Sequence, residues 1–103
     1  MALDYEITTK NEEMLIHLKG DLDIYSCNQF KEDVNKQVKE NPMDLIIDTH
    51  ELEYIDSTGL GVLISIYKNL KEFGHKITIV GLKPNVKKIF LITDLDKIFT
   101  IKE

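Results

Sequence analysis

The chain begins with two short runs in which apolar side chains alternate with polar ones. Residues 3–8 and 13–19 have the composition of strands, and the second run keeps a two-residue period. Asn11 and Glu12 lie between the runs and suit the tip of a hairpin. The pattern therefore predicts an antiparallel pair of strands at the start of the fold.

A helical stripe follows the second strand. Ser26, with Gln29 three residues later, has the form of a capping box, in which two side chains satisfy amides of the first turn. Asn41–Pro42 ends the helical pattern. We expect one amphipathic helix that packs by a single stripe, formed by Phe30, Val34 and Val38.

A continuous apolar run, Leu45–Ile47, comes next and is typical of a central strand with both faces covered. The polar residues 49–53 predict a loop after this strand. Residues 56–58 then precede a second helical pattern, which ends near Gly74. The apolar positions of this helix are Leu60, Leu63, Ile64, Tyr67 and Leu70.

The last third of the chain contains a further strand, helix and strand. Residues 76–80 are β-prone, Pro84 suits the first position of a helix, and residues 98–101 are typical of an edge strand. The order β, β, α, β, α, β, α, β predicts an α/β fold. We expect a single domain over residues 1–103, with a mixed sheet of four to five strands, an antiparallel N-terminal pair and three or more packed helices.

Composition and charge argue against several classes of function. Of 103 residues, 43% are hydrophobic and 30% are charged, which suits one folded domain. Eighteen acidic residues outnumber 13 basic ones, all of them Lys, and the net charge of −5 argues against a nucleic-acid-binding surface. The longest uncharged stretch, 57–67, is shorter than the ~18 residues of a membrane helix, and no secretory signal is evident. We expect a cytoplasmic protein that binds neither nucleic acid nor membrane.

The histidines and paired aspartates do not form a metal motif. His17, His50 and His75 lie in different predicted elements and lack the spacing of zinc ligands. Asp21 and Asp23 follow a strand at alternate positions, but two carboxylates are too few for a cation cage. We expect no metal.

Motifs for catalysis and cofactor binding are equally weak. Gly59 and Gly61 begin like a dinucleotide fingerprint that then lacks its third glycine. Ser57 lacks the flanking glycines of a hydrolase nucleophile. Cys27, the single cysteine, suits a small buried hydrophobic position. We therefore expect a protein that is not an enzyme and needs no cofactor.

The most informative segment is 54–61, where two hydroxyls precede a helix. Asp, Ser and Thr are good N-caps, worth ~1 kcal/mol. Gly59 and Gly61 each cost roughly 0.8–1 kcal/mol relative to Ala in a helix interior, so their missing side chains serve close packing or the close approach of another protein. A phosphate on Ser57 would lie at the positive end of the helix, where the fold tolerates the added charge. An apolar or acidic surface of a partner protein would not tolerate this charge, so binding would weaken. The segment predicts a phosphorylation-controlled binding switch.

Three motifs resemble the STAS domain of bacterial anti-sigma factor antagonists, and the resemblance covers essentially the whole chain. They are residues 20–26, 56–61 and 81–90. The second is the most specific, and within the first, residues 23–26 are closer to the general-stress antagonists than to the sporulation ones. A 103-residue chain with no appended segment fits a free-standing antagonist.

The resemblance implies a regulator that is a kinase substrate. The anti-sigma factor, itself an ATP-dependent serine kinase, would phosphorylate Ser57, and a PP2C-type phosphatase would reverse the modification. The unphosphorylated form would bind the anti-sigma factor and release the sigma factor. Asp56 and Thr58 would shape the acceptor loop, and Asp23 would lie on a neighbouring loop. The implied partner-binding residues are Asp21, Asp23, Tyr25, Ser26, Asp56, Thr58, Gly59, Leu60 and Gly61.

Two other interpretations stay open. Asp48, at the end of an apolar run, and Lys83–Pro84 resemble a phospho-aspartate receiver, although the chain is one repeating unit short of that fold. A stand-alone STAS-like module for a small ligand or a sensory complex would use the region of Asp21, Asp23 and Ser57 instead.

Overall fold

The computed structural model describes residues 2–103. Its strands are β1 (Asp4–Lys10), β2 (Glu13–Leu22), β3 (Asp44–Ile55), β4 (Ile77–Val80) and β5 (Thr100–Lys102). Its helices are α1 (Cys27–Glu40), α2 (Ser57–Lys71) and α3 (Pro84–Ile92), with a 3₁₀ turn at Leu95–Lys97. No helix within residues 2–103 is long and apolar enough to span a bilayer.

The five strands form one mixed sheet in the order β1-β2-β3-β4-β5. β1 and β2 are antiparallel, and the other neighbouring pairs are parallel. Asn11 and Glu12 form the tip of the first hairpin, both with a left-handed backbone (φ 53° and 64°). The predicted α/β fold, its antiparallel N-terminal pair and the central place of β3 are confirmed.

Within residues 2–103 the helices cover only one face of the sheet. Along β2, Met14, Ile16 and Leu18 are buried, whereas the intervening side chains are exposed or half-buried. β3 behaves in the same way, because Ile46 is only partly buried between two buried neighbours. The prediction that β3 is covered on both faces is therefore wrong.

β3 is also longer than predicted, since residues 49–53 continue the strand instead of forming a loop. Thr49 is buried, and its hydroxyl donates to the carbonyl of Val80 at 2.7 Å. Leu52 and Ile55 are buried as well. Polar residues are tolerated here because the other face of the sheet is open to solvent. The extension carries β3 to the start of α2.

α1 packs as predicted but begins differently. Phe30, Val34 and Val38 are fully buried, and the helix ends at Glu40, directly before Asn41. The predicted capping box is wrong, because the Ser26 hydroxyl donates to the carbonyl of Asp21 at 3.0 Å and Gln29 bonds Asp33.

The C-terminal elements pack on the same core. Pro84 occupies the first turn of α3, as predicted. The predicted strand 98–101 is displaced, because the 3₁₀ turn precedes it and β5 begins at Thr100. Phe99 is buried between the rings of Tyr67 and Phe90, at centroid distances of 5.7 and 6.0 Å.

Candidate functional site

The candidate site lies where β2 and β3 end side by side. Leu22 and Ile55, the last residues of the two strands, are paired in the sheet. β2 is followed by the loop 23–26, and β3 is followed by the single residue Asp56 before α2 begins. The Asp56 amide donates to the Leu22 carbonyl at 3.4 Å, so the two connections lie in contact.

The carboxylate of Asp56 joins these two connections. Asp56 is the N-cap of α2, and its Oδ1 accepts from the Gly59 amide at 2.9 Å. Its Oδ2 accepts from the Ile24 amide at 3.2 Å. One side chain thus caps the helix and holds the neighbouring loop against it.

Hydrogen bonds donated by backbone amides fix the loop 23–26. The Asp23 amide donates to the Ser26 hydroxyl at 3.1 Å, and the Tyr25 amide donates to the Asp23 carboxylate at 3.0 Å. The amides of Ser26 and Cys27 both donate to the Asp23 carbonyl, at 3.1 and 2.9 Å. With the bond from Ile24 to Asp56, each backbone amide from 23 to 27 has an acceptor within the chain.

The surface of the site combines two hydroxyl-bearing residues with two large hydrophobic side chains. Ser57, the first residue of α2, is exposed, and so is Thr58. Tyr25 is 95% exposed and Ile24 is 60% exposed. The Ser57 hydroxyl is therefore accessible to another protein that touches the 23–26 loop.

The glycines of α2 differ in role. A Cβ on Gly59 would lie 2.4 Å from the carbonyl oxygen of Leu22, so Gly59 serves the packing of the helix on the sheet. Leu60 is buried too, and the burial of both residues argues against their predicted place on a partner-facing surface. Gly61 is exposed, and a Cβ there would meet no described atom within 4 Å.

The receiver interpretation is contradicted by the sheet. Asp48 lies in the middle of β3, seven residues before its end, and its carboxylate binds the rings of His17 and His50. A receiver has the strand order 2-1-3-4-5, with its site at the carboxyl ends of the strands. The order here is sequential and its first pair is antiparallel.

A groove of 590 Å³ borders the loop 23–26. Asp23, Tyr25 and Ser26 form one side, and Tyr5 and Gln29 contribute to the rest. Asp21 and Ser57 are not among the residues that line it within the described chain. The residues expected for a small-ligand site are therefore not gathered into this one cavity.

The sequence profile of the STAS domain matches residues 4–103. The chain belongs to the STAS domain family. The anti-sigma-B factor antagonist of Staphylococcus aureus (strain NCTC 8325 / PS 47) is 26% identical to this STAS domain over 103 residues, which is 100% of the chain and 95% of that protein.

Solved structures share the fold of this STAS domain. An anti-sigma factor antagonist from Mycobacterium paratuberculosis is 22% identical with a TM-score of 0.84, covering 98% of this chain and 86% of that one. The Bacillus cell fate determinant SpoIIAA in its phosphorylated form is 20% identical with a TM-score of 0.76, covering 97% and 90%.

Sequence reasoning missed one residue of the site. Ile24 was not among the expected partner-binding residues, yet its side chain is exposed and its amide is bound by Asp56. The sequence offered one indication, which is that an apolar residue, Ile24, stands between Asp23 and Tyr25 in the turn that follows a strand. An apolar residue at such a place is ordinarily assigned to the core.

Proposed function

We propose that this STAS domain is an anti-sigma factor antagonist whose binding is switched off by phosphorylation of Ser57. The observation that carries the proposal is the exposed hydroxyl of Ser57 at the first position of α2, beside the fixed loop 23–26. The name of the Staphylococcus aureus relative, matched over the whole chain, supports the antagonist role. The anti-sigma-B factor in that relative's name and the residues 23–26 are our grounds for proposing the general-stress type.

The fold is suited to accept a phosphate at this place. The modification adds about −1.5 to −2 charges, which the amides and dipole of a helix N-terminus stabilise. Ser57 is exposed, whereas the buried residues of α2 begin at Gly59. A phosphate therefore changes the surface and leaves the core packing intact.

Phosphorylation of Ser57 would affect partner binding much more strongly than it affects the fold. A dianion must lose part of its hydration when a second protein covers it, and each ~1.4 kcal/mol of that cost lowers affinity tenfold. The interface is expected to bury ~800 Å² per partner, centred on the first turn of α2 and residues 21–26. Asp21, Asp23, Ser26 and Asp56 would lie within it, together with Tyr25, Thr58 and Gly61.

The proposal defines two partners. The first is an anti-sigma factor with serine-kinase activity, which binds the unphosphorylated STAS domain, releases its sigma factor and phosphorylates Ser57. The second is a PP2C-type phosphatase that restores the binding form. The STAS domain is a substrate in this cycle and acts in the cytoplasm as a regulator, not as an enzyme.

The test compares wild type with Ser57→Ala, Ser57→Asp and the neighbouring control Thr58→Ala. Tagged proteins are used to capture partners from lysate of the native host, and the captured kinase is then purified and incubated with each variant and ATP. We expect wild type and Ser57→Ala to bind the kinase, and Ser57→Asp to bind far more weakly; Thr58→Ala controls only for which hydroxyl is phosphorylated. Mass spectrometry should locate the phosphate on Ser57 in wild type and Thr58→Ala, with none in Ser57→Ala. Equal binding of Ser57→Asp and wild type would eliminate the switch.

The groove beside Tyr25 supports a second candidate, a small-ligand or sensory-complex module. In that case a ligand that fills the 590 Å³ groove should raise the melting temperature at concentrations above its Kd. Tyr25→Ala would remove part of the groove wall and reduce that shift. The Ser57 variants would leave it unchanged.

A further inference from the structure

Two large apolar side chains are exposed beside the proposed acceptor serine. Tyr25 is 95% exposed and Ile24 is 60% exposed, although both lie within three residues of Leu22, the buried last residue of β2. Adjacent exposed apolar residues on a soluble domain often mark a binding surface. Tyrosine in particular is enriched among the residues that dominate binding energy.

The loop that carries these side chains is already ordered. Each backbone amide from 23 to 27 donates to an acceptor within the chain, including both the carboxylate and the carbonyl of Asp23. A loop fixed in this way loses little conformational entropy when a partner binds. An aromatic side chain on such a fixed backbone has few rotatable bonds left to order and is therefore an effective anchor.

Asp56 holds this loop in a fixed relation to Ser57. Its Oδ2 binds the Ile24 amide at 3.2 Å while its Oδ1 caps the helix that begins with Ser57. The backbone that carries the apolar pair is consequently held in a fixed relation to the serine. A partner that covers Ile24, Tyr25 and Ser57 together also removes water from around the hydroxyl.

We propose that Ile24 and Tyr25 are the apolar anchor that inserts into an apolar pocket of the anti-sigma factor, and that Asp56 is the positioning residue that aligns this anchor with Ser57. This inference rests on the function proposed above and deepens it. Docking through an apolar contact explains why phosphorylation opposes binding, because the same event that buries the anchor dehydrates the phosphate.

The anchor is tested by affinity measurements with the purified anti-sigma factor and matched exposed residues elsewhere. Phe73 is 53% exposed beyond the far end of α2, and Ile92 is 71% exposed at the end of α3. We expect Tyr25→Ala to weaken binding about tenfold or more and Ile24→Ala at least about threefold. Phe73→Ala and Ile92→Ala should stay within about twofold of wild type. Anchor variants that bind as tightly as these controls would overturn the proposal.

The positioning role of Asp56 is tested with Asn and Ser. Either residue caps a helix as well as Asp does, but neither offers two acceptor oxygens at once. We expect Asp56→Asn and Asp56→Ser to keep the melting temperature and the exchange protection of the Gly59 amide. Exchange of the Ile24 amide should accelerate, and binding should weaken several-fold. Unchanged Ile24 exchange together with unchanged affinity would contradict the role.

The two proposals fail in different ways. If wild type binds the anti-sigma factor, Ser57→Asp does not, and Tyr25→Ala and Ile24→Ala bind like wild type, the anchor is wrong and the switch stands. If wild type itself binds no anti-sigma factor, the proposed function and the anchor are both wrong. Loss of binding in a variant counts only when its far-ultraviolet circular dichroism and melting temperature match those of wild type.

Discussion

The α-carbon of Gly59 faces the carbonyl oxygen of Leu22 so closely that a Cβ at position 59 would lie 2.4 Å from that oxygen. The same Cβ would lie 2.8 Å from Cγ1 of Ile55. The start of α2 thus packs directly on the ends of β2 and β3, and a missing side chain makes this approach possible.

We expect Gly59→Ala to destabilise the domain by about 1–3 kcal/mol, because the obstructing atom is backbone and cannot rotate away. Gly61→Ala is the matched control in the next turn, where a Cβ would meet no described atom within 4 Å. Because alanine has a higher helix propensity than glycine, Gly61→Ala should stabilise the fold by up to about 1 kcal/mol. Urea unfolding of the two variants measures both effects, and equal shifts of the same sign would contradict the packing argument.

Ser57→Asp is expected to change the free energy of unfolding by less than about 1 kcal/mol, since a negative charge at a helix N-terminus is accommodated. Leu60→Asp provides the contrast three residues later, because Leu60 is only 9% exposed and the charge would be buried. Thermal unfolding should show near-native stability for the first variant and a large loss for the second. A comparable loss in both would mean that Ser57 has a structural role.

The hairpin tip offers a stabilising substitution. Glu12 has a φ of 64°, a left-handed conformation that costs a side-chain-bearing residue free energy. Asn followed by Gly is the preferred pair for a two-residue turn with both φ angles positive. We expect Glu12→Gly to stabilise the domain by about 0.5–1 kcal/mol, after the entropy cost of glycine. Asn11→Gly is the control and should gain less, because Asn tolerates this conformation; a loss of stability in Glu12→Gly would refute the prediction.

Stability should depend on pH through His17 on the open face of the sheet. Its Nδ1 lies 3.1 Å from Asp48 Oδ2 and its Nε2 lies 3.2 Å from Glu51 Oε1. The hydrogen bond to Asp48, supported by the charges of both carboxylates, raises the pKa of His17 above 6.5. Burial acts to raise the pKa of Asp48, but hydrogen bonds from His50 and His17 outweigh it and lower this pKa below 3.8.

The raised pKa means that His17 contributes stability fully below its ordinary pKa and loses it as pH rises through the folded value. Asp48 contributes above its ordinary pKa and loses its contribution as pH falls through the lowered value. We expect wild type to lose stability relative to His17→Gln as pH rises from about 6 to 8. Urea midpoints across this range and NMR titration of the ring measure the effect; a His17 pKa at or below 6.5 would exclude it.

Most of the fold was readable from the sequence because the helical stripes are regular. Phe30, Val34 and Val38 predicted α1 and its packing, and all three are fully buried. The second half of β3 was not readable. Its pairing with β2 shifts register between His17 and Lys19 and again between Gly20 and Asp21, and such shifts break the two-residue period.

The site was readable in part. Asp56 was among the residues expected to cap α2, and its carboxylate does so. The second hydrogen bond of that carboxylate, to the Ile24 amide, joins residues 32 positions apart, so no local spacing in the sequence predicts it. The start of α1 was misread for a local reason, because the Ser26 hydroxyl donates back to the Asp21 carbonyl instead of accepting from an amide of the first helical turn.

Because the helices cover only one face of the sheet, neighbouring positions along a strand such as β2 are under different selective constraints. Along β2, Met14, Ile16 and Leu18 support the core, while Leu15, His17 and Lys19 face solvent on the opposite side. A deep mutational scan should therefore alternate between intolerant and permissive positions residue by residue. Natural variants of this domain are free to diversify the solvent face without disturbing the surface around Ser57, so one fold can acquire a second recognition surface while keeping its first.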